Sequence, residues 1–81
     1  MHFVYLMRSI KAAKESYVGY TTSLEQELAI HNSGCATDTN KYRPWKIIMH
    51  FAFADESKAR EFVEYLKSPT GKAFAQKRLW Q

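Results

Sequence analysis

The period of the apolar positions changes several times along these 81 residues. His2–Arg8 alternates imperfectly and is rich in Phe, Val, Tyr and Leu, a composition that fits the pleated surface of a buried strand. Residues 9–16 are polar, hold Lys11 and Lys14, and read as an exposed loop. Ser16–Tyr20 reads as a second short strand, hairpin-paired with the first. Spacing then turns helical: Leu24, Leu28 and His31 share one side, Thr22 or Ser23 can accept from the free N–H groups at the start, and Glu25 and Gln26 occupy the first turn. Asn32-Ser33-Gly34 supplies the stop. Cys35–Tyr42 is polar without apolar periodicity and predicts a mobile loop. Trp45–Phe53 is a long apolar run and predicts a third strand, with Pro44 just before it, where a missing N–H is tolerated. Asp55 is placed to cap a helix running to about Lys67, whose stripe of Ala59, Phe62, Val63 and Leu66 follows i, i+3, i+4, i+7. Ser68-Pro69-Thr70-Gly71 breaks the chain, and Pro69 suits the first position of a last helix that carries Lys72, Phe74, Lys77 and Arg78.

The order β-β-α-β-α-α predicts an α+β fold. A sheet of so few strands cannot close a core alone, so three helices must cover it. The short first connection makes the sheet mainly antiparallel. The length fits a single domain over residues 1–81, with little core to spare. With one cysteine, Cys35, no intramolecular disulfide can form, and a cytoplasmic protein is the simplest expectation. There is no charged leader followed by an apolar stretch, and no apolar run near the ~20 residues a bilayer span needs, so no membrane partner is expected. His2, His31 and His50 show no ligand spacing, which argues against zinc.

Charge sharpens this picture. Residues 1–40 hold three Lys/Arg against four Asp/Glu, whereas residues 41–81 hold nine against four. From Tyr65 onward come Lys67, Lys72, Lys77 and Arg78 with no acid at all. A basic face of this kind suits a polyanion, whose released counterions drive binding. Such a set is also what a solvated helix face looks like.

Candidate chemistry centres on two short motifs, Phe3-Val4-Tyr5 and Tyr17-Val18-Gly19, followed by Thr21-Thr22-Ser23-Leu24 and His31-Asn32-Ser33-Gly34. Arg43-Pro44-Trp45-Lys46, Tyr65-Leu66-Lys67-Ser68, Gly71-Lys72-Ala73-Phe74 and Lys77-Arg78-Leu79 complete the series. In order and spacing the whole chain resembles the GIY-YIG nucleases in their small, single-domain bacterial form, related to structure-specific or repair-type DNA endonucleases. The resemblance implies Mg²⁺- or Mn²⁺-dependent phosphodiester hydrolysis in DNA. In that chemistry a glutamate on the second helix holds the metal, an arginine on the first helix stabilises phosphoryl charge, and two tyrosines share the pocket. Carried over by position, the tyrosines are Tyr5 and Tyr17, and His31 matches a pocket-facing position. Arg8, Lys67, Lys72, Lys77 and Arg78 are the candidate DNA contacts.

Two positions depart from the pattern. The family arginine falls on Glu27 and the family glutamate on Val63. A carboxylate beside a phosphate places like charges together, and valine cannot bind a metal. Neighbouring Glu64 lies about 100° around the helix and is expected to face solvent, with Glu61 pointing away. Three explanations stand: a dead site kept as a binding module, a rearranged metal site built on Glu27, or a conventional site hidden by a one-residue slip of register. A protein-interaction module without nucleic acid is a further alternative, and the oligomeric state is open.

Overall fold

Val4, Tyr5, Leu6 and Met7 are all buried, so the first strand, β1 (His2–Ser9), is covered on both faces and belongs in the middle of its sheet. The computed structural model, which describes residues 1–80, places it there. Strands β2 (Ser16–Thr21) and β3 (Trp45–Phe53) flank it in the order β2-β1-β3, each antiparallel to it. The expected mainly antiparallel sheet is thus antiparallel throughout.

The helices start where their caps place them. Ser23 accepts from the N–H of Gln26 to open α1 (Leu24–Ser33), and Asp55 accepts from Ser57 at 2.9 Å to open α2 (Glu56–Lys67). Ser68 accepts from Gly71 at 3.1 Å to open α3 (Pro69–Arg78), with Pro69 at its first turn. Hydrogen bonds from Ser57 hold the Asp55 carboxyl below the usual range.

Strand alternation divides the core in two. On one face Val4 and Leu6 pack with Ala59, Val63 and Leu66 of α2 and Ala75 of α3. On the other, Tyr5 and Met7 pack with Trp45, Tyr17, and Leu24 and Leu28 of α1. β3 contributes to both through an irregularity: Leu6 faces Met49 but Met7 faces Ile47, so Ile48 is the extra residue of a bulge. Trp45 and Ile47 consequently face α1, while Met49, Phe51 and Phe53 face α2.

The connection from Cys35 to Tyr42 corrects the expectation of a mobile loop. It contains a single 3₁₀ turn, Asn40–Tyr42, preceded by the buried Thr39. Thr39 is held from both sides: its carbonyl accepts from the Trp45 indole at 2.8 Å, and its hydroxyl meets His31. Anchoring through hydrogen bonds leaves no apolar period in the sequence.

Candidate functional site

Tyr5 points from β1 toward α1, where it meets two side chains one helical turn apart. Its hydroxyl donates to Glu27 Oε2 at 2.8 Å and lies 3.0 Å from His31 Nε2. His31 Nε2 is also 3.3 Å from Glu27 Oε2, and His31 Nδ1 is 2.6 Å from the Thr39 hydroxyl. Tyr17, from β2, closes the cluster with its ring 5.2 Å from that of His31 and 6.2 Å from that of Tyr5. The structure therefore brings together four of the candidate residues: Tyr5, Tyr17, Glu27 and His31.

The proton positions follow from donor and acceptor counting. Because the Tyr5 hydrogen is directed at Glu27, Nε2 of His31 must carry the hydrogen that reaches the Tyr5 oxygen. In the neutral ring Nδ1 is then an acceptor, and the Thr39 hydroxyl supplies its donor. With the ring neutral, the chain runs Thr39 to His31 to Tyr5 to Glu27, with every hydrogen pointing at the carboxylate.

Gly19 makes this geometry possible. It lies opposite Tyr5 in the β1–β2 register, and a Cβ there would overlap the Tyr5 hydroxyl and sit 2.6 Å from Tyr5 Cζ. Asn32 fixes the end of α1 to β3 by donating to the Trp45 carbonyl at 3.1 Å while accepting from the Trp45 N–H. Thr39 and Asn32 carry no sequence signal for these roles. The order His31-Asn32 hints only that two polar side chains at a helix end need partners.

Electrostatics set what the tyrosines can do. Burial first, then the bond to Glu27 and its charge, push the Tyr5 hydroxyl far above the ordinary tyrosine range. Tyr17 is pushed the same way by burial, Asp38 and Glu27. Tyr5 is therefore a fixed hydroxyl donor, and it is not poised to take a proton from water. A group whose folded-state pKa is raised lends stability below its unfolded value, about 10 for tyrosine, and loses it as pH climbs toward the folded one. Tyr5→Phe is expected to lower stability by about 1–2 kcal/mol at neutral pH. In urea unfolding the gap to wild type should narrow above about pH 10, as the wild type loses what phenylalanine never had. A gap constant with pH would contradict this account.

Val63 is elsewhere. It is 7% exposed and packs with Val4 and Leu6, on the face of the sheet opposite Tyr5. Glu61 and Glu64 beside it are exposed. Among the described residues no group of three or more His, Cys, Asp or Glu side chains is arranged to hold a metal. Among the described residues Glu27 is the sole carboxylate bonded within the tyrosine cluster, and one of its oxygens already serves Tyr5 and His31. This donor set does not fit a resident divalent ion, which takes several hard oxygen ligands.

Arg8 has a partner inside the fold. Its guanidinium donates to the Trp80 carbonyl at 3.0 Å and lies 5.2 Å from the centre of the Trp80 ring, so it ties β1 to the segment after α3. Lys67, Lys72, Lys77 and Arg78 are exposed. Lys67 Nζ lies 5.9 Å from the Tyr17 ring centre, so a cation does adjoin the tyrosine cluster, supplied by α2 and not by α1.

With tyrosines from β1 and β2 meeting α1 in one cluster, the match to a known family can be placed. Residues 1–78 match the GIY-YIG catalytic domain. The chain belongs to that family. A UPF0213 protein of Clostridium perfringens is 32% identical over 72 residues, covering 86% of this chain and 74% of that protein. A UPF0213 protein of Lactococcus lactis is 39% identical over 59 residues, covering 72% of this chain and 58% of the relative. The solution NMR structure of the UPF0213 protein BH0048 from Bacillus halodurans superposes with a TM-score of 0.54 at 25% identity, covering 94% of this chain and 82% of that one. GIY-YIG nucleases act on nucleic acid and are generally dependent on a divalent metal. No helix among the described residues is long and apolar enough to cross a membrane.

Proposed function

We propose that this GIY-YIG protein acts on DNA as a binding module in which metal-dependent phosphodiester hydrolysis is severely weakened or lost. The observation that carries this reading is the Glu27 carboxylate, hydrogen-bonded to Tyr5 in the place where the resemblance puts a phosphate-facing arginine. A phosphate approaching Tyr5 meets the negative charge of Glu27 instead of a guanidinium, and such like-charge juxtaposition is costly. Electrostatic stabilisation is commonly the largest single contribution to catalysis of this kind, so its inversion removes more than a contact. Val63 removes the second requirement, since the metal of the family reaction, Mg²⁺ or Mn²⁺, has no carboxylate there. What remains is recognition: Lys67, Lys72, Lys77 and Arg78 offer phosphate contacts without any acid after Glu64.

The test is incubation of supercoiled and branched DNA with Mg²⁺ or Mn²⁺, alongside binding measured over a range of salt. The expected result is no nicking, with affinity that falls steeply as salt rises. Glu27→Gln keeps an acceptor for Tyr5 and removes the charge, and is expected to tighten DNA binding about three- to tenfold at low salt. Metal-dependent nicking that disappears in Glu27→Gln would establish a rearranged nuclease with Glu27 as metal ligand and sink the binding-module reading. Absence of salt-sensitive binding would leave a protein-interaction module.

A further inference from the structure

Between β2 and the α2–α3 pair runs a groove of about 350 Å³. Its apolar surface comes from Val18, Leu66 and Trp80, and its charge from Lys67 and Lys72. Gln76 adds a carboxamide, and among the described residues no Asp or Glu lines it. Tyr17 belongs to both this groove and the tyrosine cluster. The two sites therefore share a wall while carrying opposite charge: the groove presents two ammonium groups, the cluster a carboxylate.

We infer that this groove, and not the Glu27 cluster, takes the ligand's phosphate, and that its occupant is a single unpaired nucleotide of a DNA strand. The inference rests on the DNA-binding reading above and deepens it. A volume near 350 Å³ is at the small end of ligand pockets, which span about 300–1,000 Å³, and suits one nucleotide better than a length of duplex. A nucleobase is a flat apolar surface with donors and acceptors on its rim, which matches an apolar lining bordered by a carboxamide able to donate and accept. Its phosphate requires cations, and Lys67 and Lys72 supply them with no competing carboxylate among the described lining residues. Paired bases keep both faces stacked and their edges engaged, so only a nucleotide released from the duplex can enter.

The experiment measures affinity for a blunt duplex and for the same duplex carrying a short single-stranded tail, at several salt concentrations. Wild type is compared with Gln76→Trp, which fills the groove from an exposed position on α3, and with Ser16→Trp, which fills it from exposed β2. Melting curves check that each variant is folded. The tailed DNA is expected to bind at least about fivefold more tightly to wild type, the scale of one base resting on protein. That preference is expected to vanish in the filled variants while blunt-duplex binding persists. Lys72→Ala should weaken the tailed complex and flatten its salt dependence. Equal affinity of wild type for both DNAs, or a preference that survives in a folded groove-filled variant, overturns the inference and leaves the DNA-binding reading standing. No salt-sensitive binding to either DNA overturns the underlying reading as well.

Discussion

Val63→Glu, the change that returns the family's carboxylate to α2, is expected to destabilise the protein by about 3–4 kcal/mol at neutral pH without restoring a metal site. Position 63 is 7% exposed and packs among the apolar side chains of Val4, Leu6, Ala59, Leu66 and Ala75. A carboxylate there must either stay charged at high desolvation cost or take up a proton. Holding a glutamic acid neutral at pH 7 against an unfolded value of about 4.3 costs nearly three pKa units at about 1.36 kcal/mol each. The sign with pH follows: the folded-state pKa is raised, so the penalty is absent well below about pH 4 and grows as pH rises through the unfolded value toward the folded one. Urea unfolding at about pH 4 and about pH 7 checks this, and a variant as stable as wild type at both would show that the α2 face is open to solvent. The double change with Glu27→Arg would carry the same cost, because α2 packs an apolar side chain at this position.

The packing of Val63 was only half legible in the chain. Val63 falls in an apolar helical stripe, and the stripe correctly places it inward. That the inward direction leads away from Tyr5 depends on which face of the sheet α2 covers, and strand alternation alone does not say. β3 hides it further, since the bulge at Ile48 lets residues of one parity serve two faces. Caps and breakers were readable because their signals are local: Ser23, Asp55, Ser68 and Pro69 act within a turn of their own position. The cluster of Tyr5, Tyr17, Glu27 and His31 was readable through spacing in a recognisable family. Thr39 was not, because a hydroxyl that orients a histidine eight residues earlier looks like any loop threonine. The contact of Arg8 was unreadable for a related reason: a charged residue in a strand signals no partner, and its partner is Trp80, distant in sequence.

Gly71→Ala sets local preference directly against packing, and packing is expected to win by about 3 kcal/mol. Within α3 alanine is the better helix former by roughly 1 kcal/mol, so propensity alone predicts stabilisation. But Gly71 is buried where α3 turns back on α2: a Cβ there would overlap the Tyr65 carbonyl and sit 2.8 Å from Leu66 Cα. These are backbone atoms, so no rotamer change relieves the overlap, and the helices must separate. The turn has little slack, because Ser68 Oγ bonds both the Tyr65 carbonyl at 2.6 Å and the Gly71 N–H at 3.1 Å. Separation would move Lys72, Ala75 and Gln76 away from Leu66 and Lys67, opening the groove inferred above to take one nucleotide. Gly71→Ala should therefore lower the urea midpoint and, where it still folds, lose the preference for tailed DNA before it loses binding to duplex. A variant more stable than wild type would mean that α3 does not approach α2 this closely, and the groove would lose its second wall with it.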